Sequence, residues 1–204
     1  MKTSLLILAG LALSGPSAAT QPPQLSLLTT ATSQATAAQT SEPRSGQRDF
    51  DFSVGTWVTK VSLLENPLTG STTWAKYEGT SVVRKVMNGR ANLVELDVAG
   101  PAGRIEGVSL RLYNPRSRQW SLHYSNSSGI MSPPVFGGFR EGRGEFIGLE
   151  TIDGQAILVK FVITKVDENS WRFEQSYSDD GGKIWEANWI AIDTLMKGES
   201  DESP

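Results

Sequence analysis

The sequence predicts an all-β domain, an antiparallel up-and-down barrel of about eight to ten strands, with a two-sheet sandwich as the alternative. Three observations lead there. From residue 48 to residue 197, apolar and polar residues alternate with period two, the pattern of strands with one face more apolar than the other. Turn-forming residues fall between the alternating runs. No stretch of a dozen residues holds the 3.6-residue apolar period of a helix. Sequential strands joined by short turns form a meander, and closing the meander into a barrel removes its exposed edges.

In chain order, strands fall near 54–64, 74–87 and 91–98, the last two joined by Asn88-Gly89, a strong two-residue hairpin signal. Over 105–113, Val108, Leu110 and Leu112 alternate with Ser109, Arg111 and Tyr113. Asn114-Pro115-Arg116-Ser117-Arg118 then turns the chain into 119–125, where Trp120, Leu122 and Tyr124 alternate with Ser121, His123 and Ser125. Pro133-Pro134 marks a loop at the barrel mouth, ahead of a strand near 134–141. Gly137-Gly138-Phe139, with Gly142 and Gly144, lacks the Lys-Ser/Thr pair and following helix of a phosphate loop, and reads as a mobile loop or bulge.

Strands near 144–152 and 156–166 meet at Asp153-Gly154, a turn that pairs Ile152 with Gln155 and therefore Phe146 with Phe161. Ile157 and Val159 share that face, while Ile147, Leu149 and Leu158 occupy the other. Both faces are apolar in places, so another part of the chain or a second subunit must cover the outside, and a homodimer is the protein partner this predicts. Asp167-Glu168-Asn169 leads into the strand at 170–177, which is followed by the last, at 185–193. Pairing Tyr177 with Trp185 sets Phe173 opposite Trp189 and Trp171 opposite Ala191, an aromatic ladder read as core, with a stacked-ligand site as the alternative.

The ends have a different character. Lys2, the apolar run Leu5–Leu13, the breakers Gly15 and Pro16, and the small residues Ser17 and Ala19 make residues 1–19 a secretory signal peptide. The run is too short to span a bilayer, and no later run is longer, so no membrane span is expected. The protein is expected in the periplasm or outside the cell. Residues 20–47 are dominated by Thr, Ser, Ala and Gln, with Pro22, Pro23 and Pro43, and bury too little to offset the entropy of ordering: a disordered linker. Residues 198–204, with Glu199, Asp201 and Glu202, form an acidic disordered tail. Residues 48–197 remain as one domain, large enough to hold a core without disulfides.

Composition excludes several chemistries. With no Cys there is no thiol nucleophile, disulfide, Fe–S cluster or Cys-ligated zinc. A single His excludes His-rich metal sites, and no metal is expected. A formal net charge of −3 gives no broad basic surface for nucleic acid.

The stretch Asp49-Phe50-Asp51-Phe52-Ser53-Val54-Gly55-Thr56-Trp57 contains Gly55-x-Trp57 at the first strand, which resembles the opening G-x-W of the calycins, the superfamily of lipocalins and fatty-acid-binding proteins. With Tyr113-Asn114-Pro115, Gln119-Trp120-Ser121 and the closing Trp185-x-x-x-Trp189-Ile190, the chain resembles a bacterial family of exported calycin-like domains without an established activity. The resemblance covers nearly all of residues 49–194. It implies a calycin-like barrel with Trp57 plugging one end and, as in lipocalins, an Arg packed across that Trp, for which Arg172 is the candidate. The absence of Cys and of a late helix departs from the lipocalin pattern. Separately, Ser178-Asp179-Asp180-Gly181-Gly182-Lys183-Ile184-Trp185 resembles the Asp-box hairpin turn of sialidase-type propellers. One copy is too few for a propeller, so the turn alone is implied, rather than a Ca²⁺ loop.

Candidate site residues follow from chemistry. His123 is the one imidazole available as a base or, alternatively, as the axial ligand of a heme; no nucleophile elbow accompanies it, and no other cofactor is expected. Arg111, Arg140, Arg172, Glu174 and Glu186 sit mostly on alternate strand positions and form either a solvated exterior or a polar cup, with Arg as anchor for an anionic or amphipathic ligand. The expected ligand site is Trp57, Arg111, His123, Arg140, Arg172 and Glu174. The function predicted is exported binding of a small, partly apolar molecule. The alternatives are a hydrolase or isomerase using the same cup, and an envelope structural or interaction protein.

Overall fold

In a computed structural model, residues 45–196 are described. The chain divides into a first unit, 1–40, and a second, 41–204, and all the described residues belong to the second. The segments the sequence predicts as signal peptide and acidic tail, and most of the predicted linker, lie outside the described residues. No helix among the described residues is long and apolar enough to cross a membrane.

Ten antiparallel strands form the domain: β1 Gly55–Leu64, β2 Trp74–Val86, β3 Ala91–Gly100, β4 Gly103–Asn114, β5 Gln119–Asn126, β6 Val135–Arg140, β7 Arg143–Ile152, β8 Gln155–Lys165, β9 Ser170–Ser178 and β10 Glu186–Leu195. Each pairs with its sequence neighbours, and β1 pairs with β10 to close the barrel, from Trp57 opposite Leu195 to Leu63 opposite Trp189. This is the up-and-down barrel the alternation predicts. Closure leaves every strand paired on both sides, which stabilises a sheet whose edges would otherwise present bare N–H and C=O groups.

The Asp153-Gly154 turn behaves as its sequence demands. Ile152 pairs with Gln155 and Phe146 with Phe161, and the φ values of 50° and 81° are the left-handed pair that a two-residue turn needs. Asn88-Gly89 differs. Val86 pairs with Ala91, so Met87 to Arg90 all lie in the loop, because the Arg90 N–H closes back on the Met87 carbonyl at 3.3 Å. Gly137 and Gly138 belong to the regular ladder of β6 and β7 rather than to a loop or bulge. A Cβ on Gly137 would stand 1.9 Å from the Glu145 carbonyl oxygen, so glycine is what lets the two backbones approach.

The β9–β10 ladder is displaced by two residues from the pairing predicted. Trp189 faces Gln175, Ala191 faces Phe173 and Asp193 faces Trp171. One residue of displacement comes from the turn and one from a bulge between Ala187 and Trp189, where Asn188 is buried and accepts a hydrogen bond from Gln175 Nε2 at 2.9 Å. The turn itself is held as an Asp-box would be. Asp180 Oδ1 accepts from Ser178 Oγ, the Lys183 N–H and the Ile184 N–H at 2.8, 2.9 and 3.0 Å, and Ser178 Oγ accepts from the Gly182 N–H at 2.9 Å.

One end of the barrel is plugged by the segment ahead of β1. Two short 3₁₀ turns, Gly46–Arg48 and Asp51–Ser53, carry Phe50 into the core, where it is fully buried against Trp120, Phe139 and Phe146. Gly46 donates its N–H to Tyr113 Oη and accepts from Trp120 Nε1 at 3.0 Å. Residues 45–47, which composition places in the linker, are therefore part of the folded domain.

Candidate functional site

The cavity lies inside the barrel above this plug. Its volume is about 120 Å³. Three layers of inward-facing residues define it. The floor holds Thr59 of β1, Ser81 of β2, Arg111 of β4, Trp171 of β9 and Asp193 of β10. The walls are largely apolar, from Val94 and Leu96 of β3 round to Phe161, Ile163 and Phe173. The rim, toward the unplugged end, carries Gly107, Tyr124, Gln175 and Trp189. β5 and β10 stand on opposite sides of the ten-strand ring, yet the Tyr124 and Trp189 rings meet edge to face, 6.5 Å apart, across the lumen.

Arg111 is the centre of the floor and is only 4% exposed. Its Cζ sits 4.4 Å above the Phe50 ring and 5.7 Å from the Trp171 ring, so two aromatic faces hold the guanidinium. Its Nη1 donates to Ser53 Oγ at 3.2 Å, and the Ser53 carbonyl accepts from Trp57 Nε1 at 2.9 Å. Trp57 meets Trp171 edge-on at 6.1 Å. Burial pushes the Arg111 guanidinium down to about 10, against the opposing pull of the Asp193 charge. It remains a cation near neutral pH.

Asp193 is 1% exposed. Its Oδ1 lies 2.5 Å from Thr59 Oγ1 and 2.8 Å from Ser81 Oγ, and the two hydroxyls are 2.9 Å from each other. Three oxygen contacts share the two hydroxyl hydrogens of Thr59 and Ser81, and a protonated Asp193 supplies a third. Burial raises its pKa above the ordinary 3.8, outweighing the hydroxyl hydrogen bonds and the Arg111 charge that lower it. Among the described residues no ion pair joins Arg111 to Asp193. Among the described residues, three buried donors have no acceptor: Arg111 Nε, Trp171 Nε1 and Asn188 Nδ2. The first two belong to residues that line the cavity.

Of the six residues the sequence singles out, the structure brings Trp57 and Arg111 together at the plugged end. The other four lie elsewhere. His123 is on the outer face of β5, between the inward-facing Leu122 and Tyr124, and its Nε2 is 3.0 Å from Ser121 Oγ. Its ring is outside the lumen, where neither the Asp193 carboxylate nor a heme in the cup meets it. Arg172 and Glu174 flank the inward-facing Phe173 on the outer face of β9 and form an ion pair there. Arg172 therefore does not pack across Trp57, and the buried guanidinium at that end of the barrel is that of Arg111. Arg140 lines a separate groove of about 900 Å³ outside the plugged end, with exposed walls that include Arg118, Arg143 and Lys165.

Thr59, Ser81, Trp171 and Asp193 complete the floor and were not among the six. Asp193 carries a readable signal, because it shares parity with Trp189 and Ala191 and so puts a carboxylate on an apolar strand face.

A closed ten-strand antiparallel barrel with a plugged end and an internal cavity is a calycin-like barrel, the class the resemblance implies. No protein-family model matches the chain, and no curated protein sequence matches it. Among solved structures, the S-type phycobiliprotein lyase CPES from Guillardia theta is similar in fold, with a TM-score of 0.52 and 13% identity over 76% of this chain and 95% of that one. EF1p2_mFAP2b bound to DFHBI is also similar, with a TM-score of 0.42 and 10% identity over 74% of this chain and 100% of that one.

Proposed function

We propose that this protein is an exported carrier or sensor that binds a small, partly apolar molecule in the barrel cavity, and that it belongs with the bacterial exported calycin-like domains its motifs resemble. The observation that carries the reading is the cavity itself: apolar walls over a floor that holds a buried cation and two donors without an acceptor. An apolar pocket with a few convergent polar groups is the usual form of a small-ligand site. The volume of about 120 Å³ is close to the roughly 150 Å³ that admits benzene in an engineered cavity, so a compact ligand or the buried part of a longer one fits.

Native mass spectrometry of protein purified from its own periplasm or culture medium tests this. A reproducible added mass under a few hundred daltons is the expected result, and a chain that always carries nothing counts against it. The same spectra read the mature N-terminus, which cleavage after Ala19 places at Thr20. A chain found intact inside the cell would count against export.

A further inference from the structure

We propose that the bound molecule is a compact monocarboxylate, whose head group takes the Arg111 and Trp171 donors on the cavity floor and whose apolar body is about the size of a benzene ring. The inference rests on the reading of the cavity as a binding site and adds the chemical class of the ligand.

The floor asks for an acceptor. Arg111 Nε and Trp171 Nε1 are buried without one, and guanidinium and indole nitrogens only donate. Both residues line the cavity, and the Arg111 Cζ stands 5.7 Å from the Trp171 ring, so the two side chains are neighbours on the floor. An alcohol offers one oxygen and brings a hydrogen that must itself find an acceptor. A carboxylate offers two oxygens and no hydrogen, and it matches a guanidinium in charge as well as shape.

The charge count agrees. Asp193 is the acid of the floor, but its Oδ1 is engaged by Thr59 and Ser81 and it forms no ion pair with Arg111. Arg111 has a hydroxyl, Ser53 Oγ, as its hydrogen-bond acceptor and two aromatic faces for packing. A buried cation in that state is stabilised by an anion brought from outside. Above the floor, Leu122, Phe161, Ile163 and Phe173 leave room for an apolar body and offer it no polar partner.

Benzoate, benzyl alcohol and toluene share one ring and differ in the head. Their affinities for the purified protein at neutral pH are read by calorimetry or by quenching of tryptophan fluorescence. Benzoate is expected to bind at least about tenfold more tightly than benzyl alcohol, as a charge-assisted pair of hydrogen bonds requires. Arg111→Met is expected to remove that preference while toluene affinity stays within about threefold. Trp171→Phe keeps the ring and deletes one donor. It is expected to weaken benzoate by about threefold to tenfold and leave toluene unchanged, and it decides the matter if Arg111→Met does not fold. Toluene or benzyl alcohol binding as tightly as benzoate overturns the carboxylate head and leaves the cavity a binding site. Failure of all three to bind at millimolar concentration overturns both.

Discussion

Arg111 and Asp193 are two ionisable groups inside a barrel with largely apolar walls, and for each of them burial outweighs the attraction of the other. Such a floor stabilises the fold less than well-packed apolar residues would, which is the balance expected where a polar group is kept for a ligand. The pH dependence follows from Asp193. Its folded pKa is raised above 3.8, so the folded chain keeps that proton to higher pH than the unfolded chain does. Asp193 therefore favours the fold fully below its unfolded value, and the contribution is lost as pH rises through the folded value. Asp193→Asn keeps the shape and cannot ionise. Its melting temperature is expected to gain on that of the parent as pH rises above 3.8, and a variant that falls behind as pH rises would show the ionised acid stabilising the barrel instead. At this scale the sequence is legible where parity is anchored by a large aromatic. Trp171 faces inward, so Arg172 must face outward. Leu122 and Tyr124 do the same to His123. Parity fails on β4, where Val108, Leu110 and Leu112 look like the inner face, yet Ser109, Arg111 and Tyr113 occupy it and Val108 is 44% exposed. A floor built for a polar group inverts the hydrophobic rule that alternation relies on.

The elements that were easiest to read are those whose turn chemistry leaves one solution. Asp153-Gly154 fixes its own register, and Phe146 opposite Phe161 follows from it. The β9–β10 hairpin has a longer turn and a bulge at Asn188, and no residue pattern announces a bulge that is set by a buried amide. The turn can be tested through Asp180, whose carboxylate is held below the ordinary range chiefly by the Ile184 N–H, with Ser178 and the Lys183 N–H adding to it. A depressed carboxylate contributes stability above its unfolded value and loses it as pH falls through the folded one. Asp180→Ala is expected to melt below the parent at neutral pH, with the deficit closing as the pH falls beneath 3.8. A deficit of constant size would assign the loss to packing over Trp185 rather than to the charge. On β4, across the barrel, a Cβ at Gly107 would lie 2.6 Å from Tyr124 Oη, a contact relieved only by moving that ring. Gly107→Ala is expected to loosen the Tyr124–Trp189 contact across the lumen and speed ligand exchange in stopped-flow measurements, with an unchanged thermal midpoint. Unchanged exchange would place the route into the cavity elsewhere.

For the whole molecule, closure by β1 and β10 joins residues more than a hundred positions apart, so no strand group can leave without breaking the ring. The plug is part of that unit. Phe50 is fully buried, the Gly46 carbonyl receives Trp120 Nε1, the Ser53 carbonyl receives Trp57 Nε1, and Ser53 Oγ receives Arg111. Composition could not mark where it starts, because Ser45, Gly46 and Gln47 are as polar as the residues before them, and Gly46 ties into the barrel through its backbone N–H and carbonyl, which composition does not reveal. Truncation separates the two readings of that boundary. A chain begun at Ser45 is expected to unfold at the same temperature as one begun at Thr20, since residues 20–44 carry few groups able to pack. A chain begun at Val54 loses Phe50, whose deletion alone costs about 3–5 kcal/mol by the measure of buried Phe→Ala changes. It also loses the acceptors of two buried indoles. Against a total stability of about 5–15 kcal/mol for a domain, that loss is expected to bring the melting temperature down by tens of degrees or to prevent folding. Equal melting of all three chains would show that the barrel closes without its plug, and that the Arg111 floor is held by the strands alone.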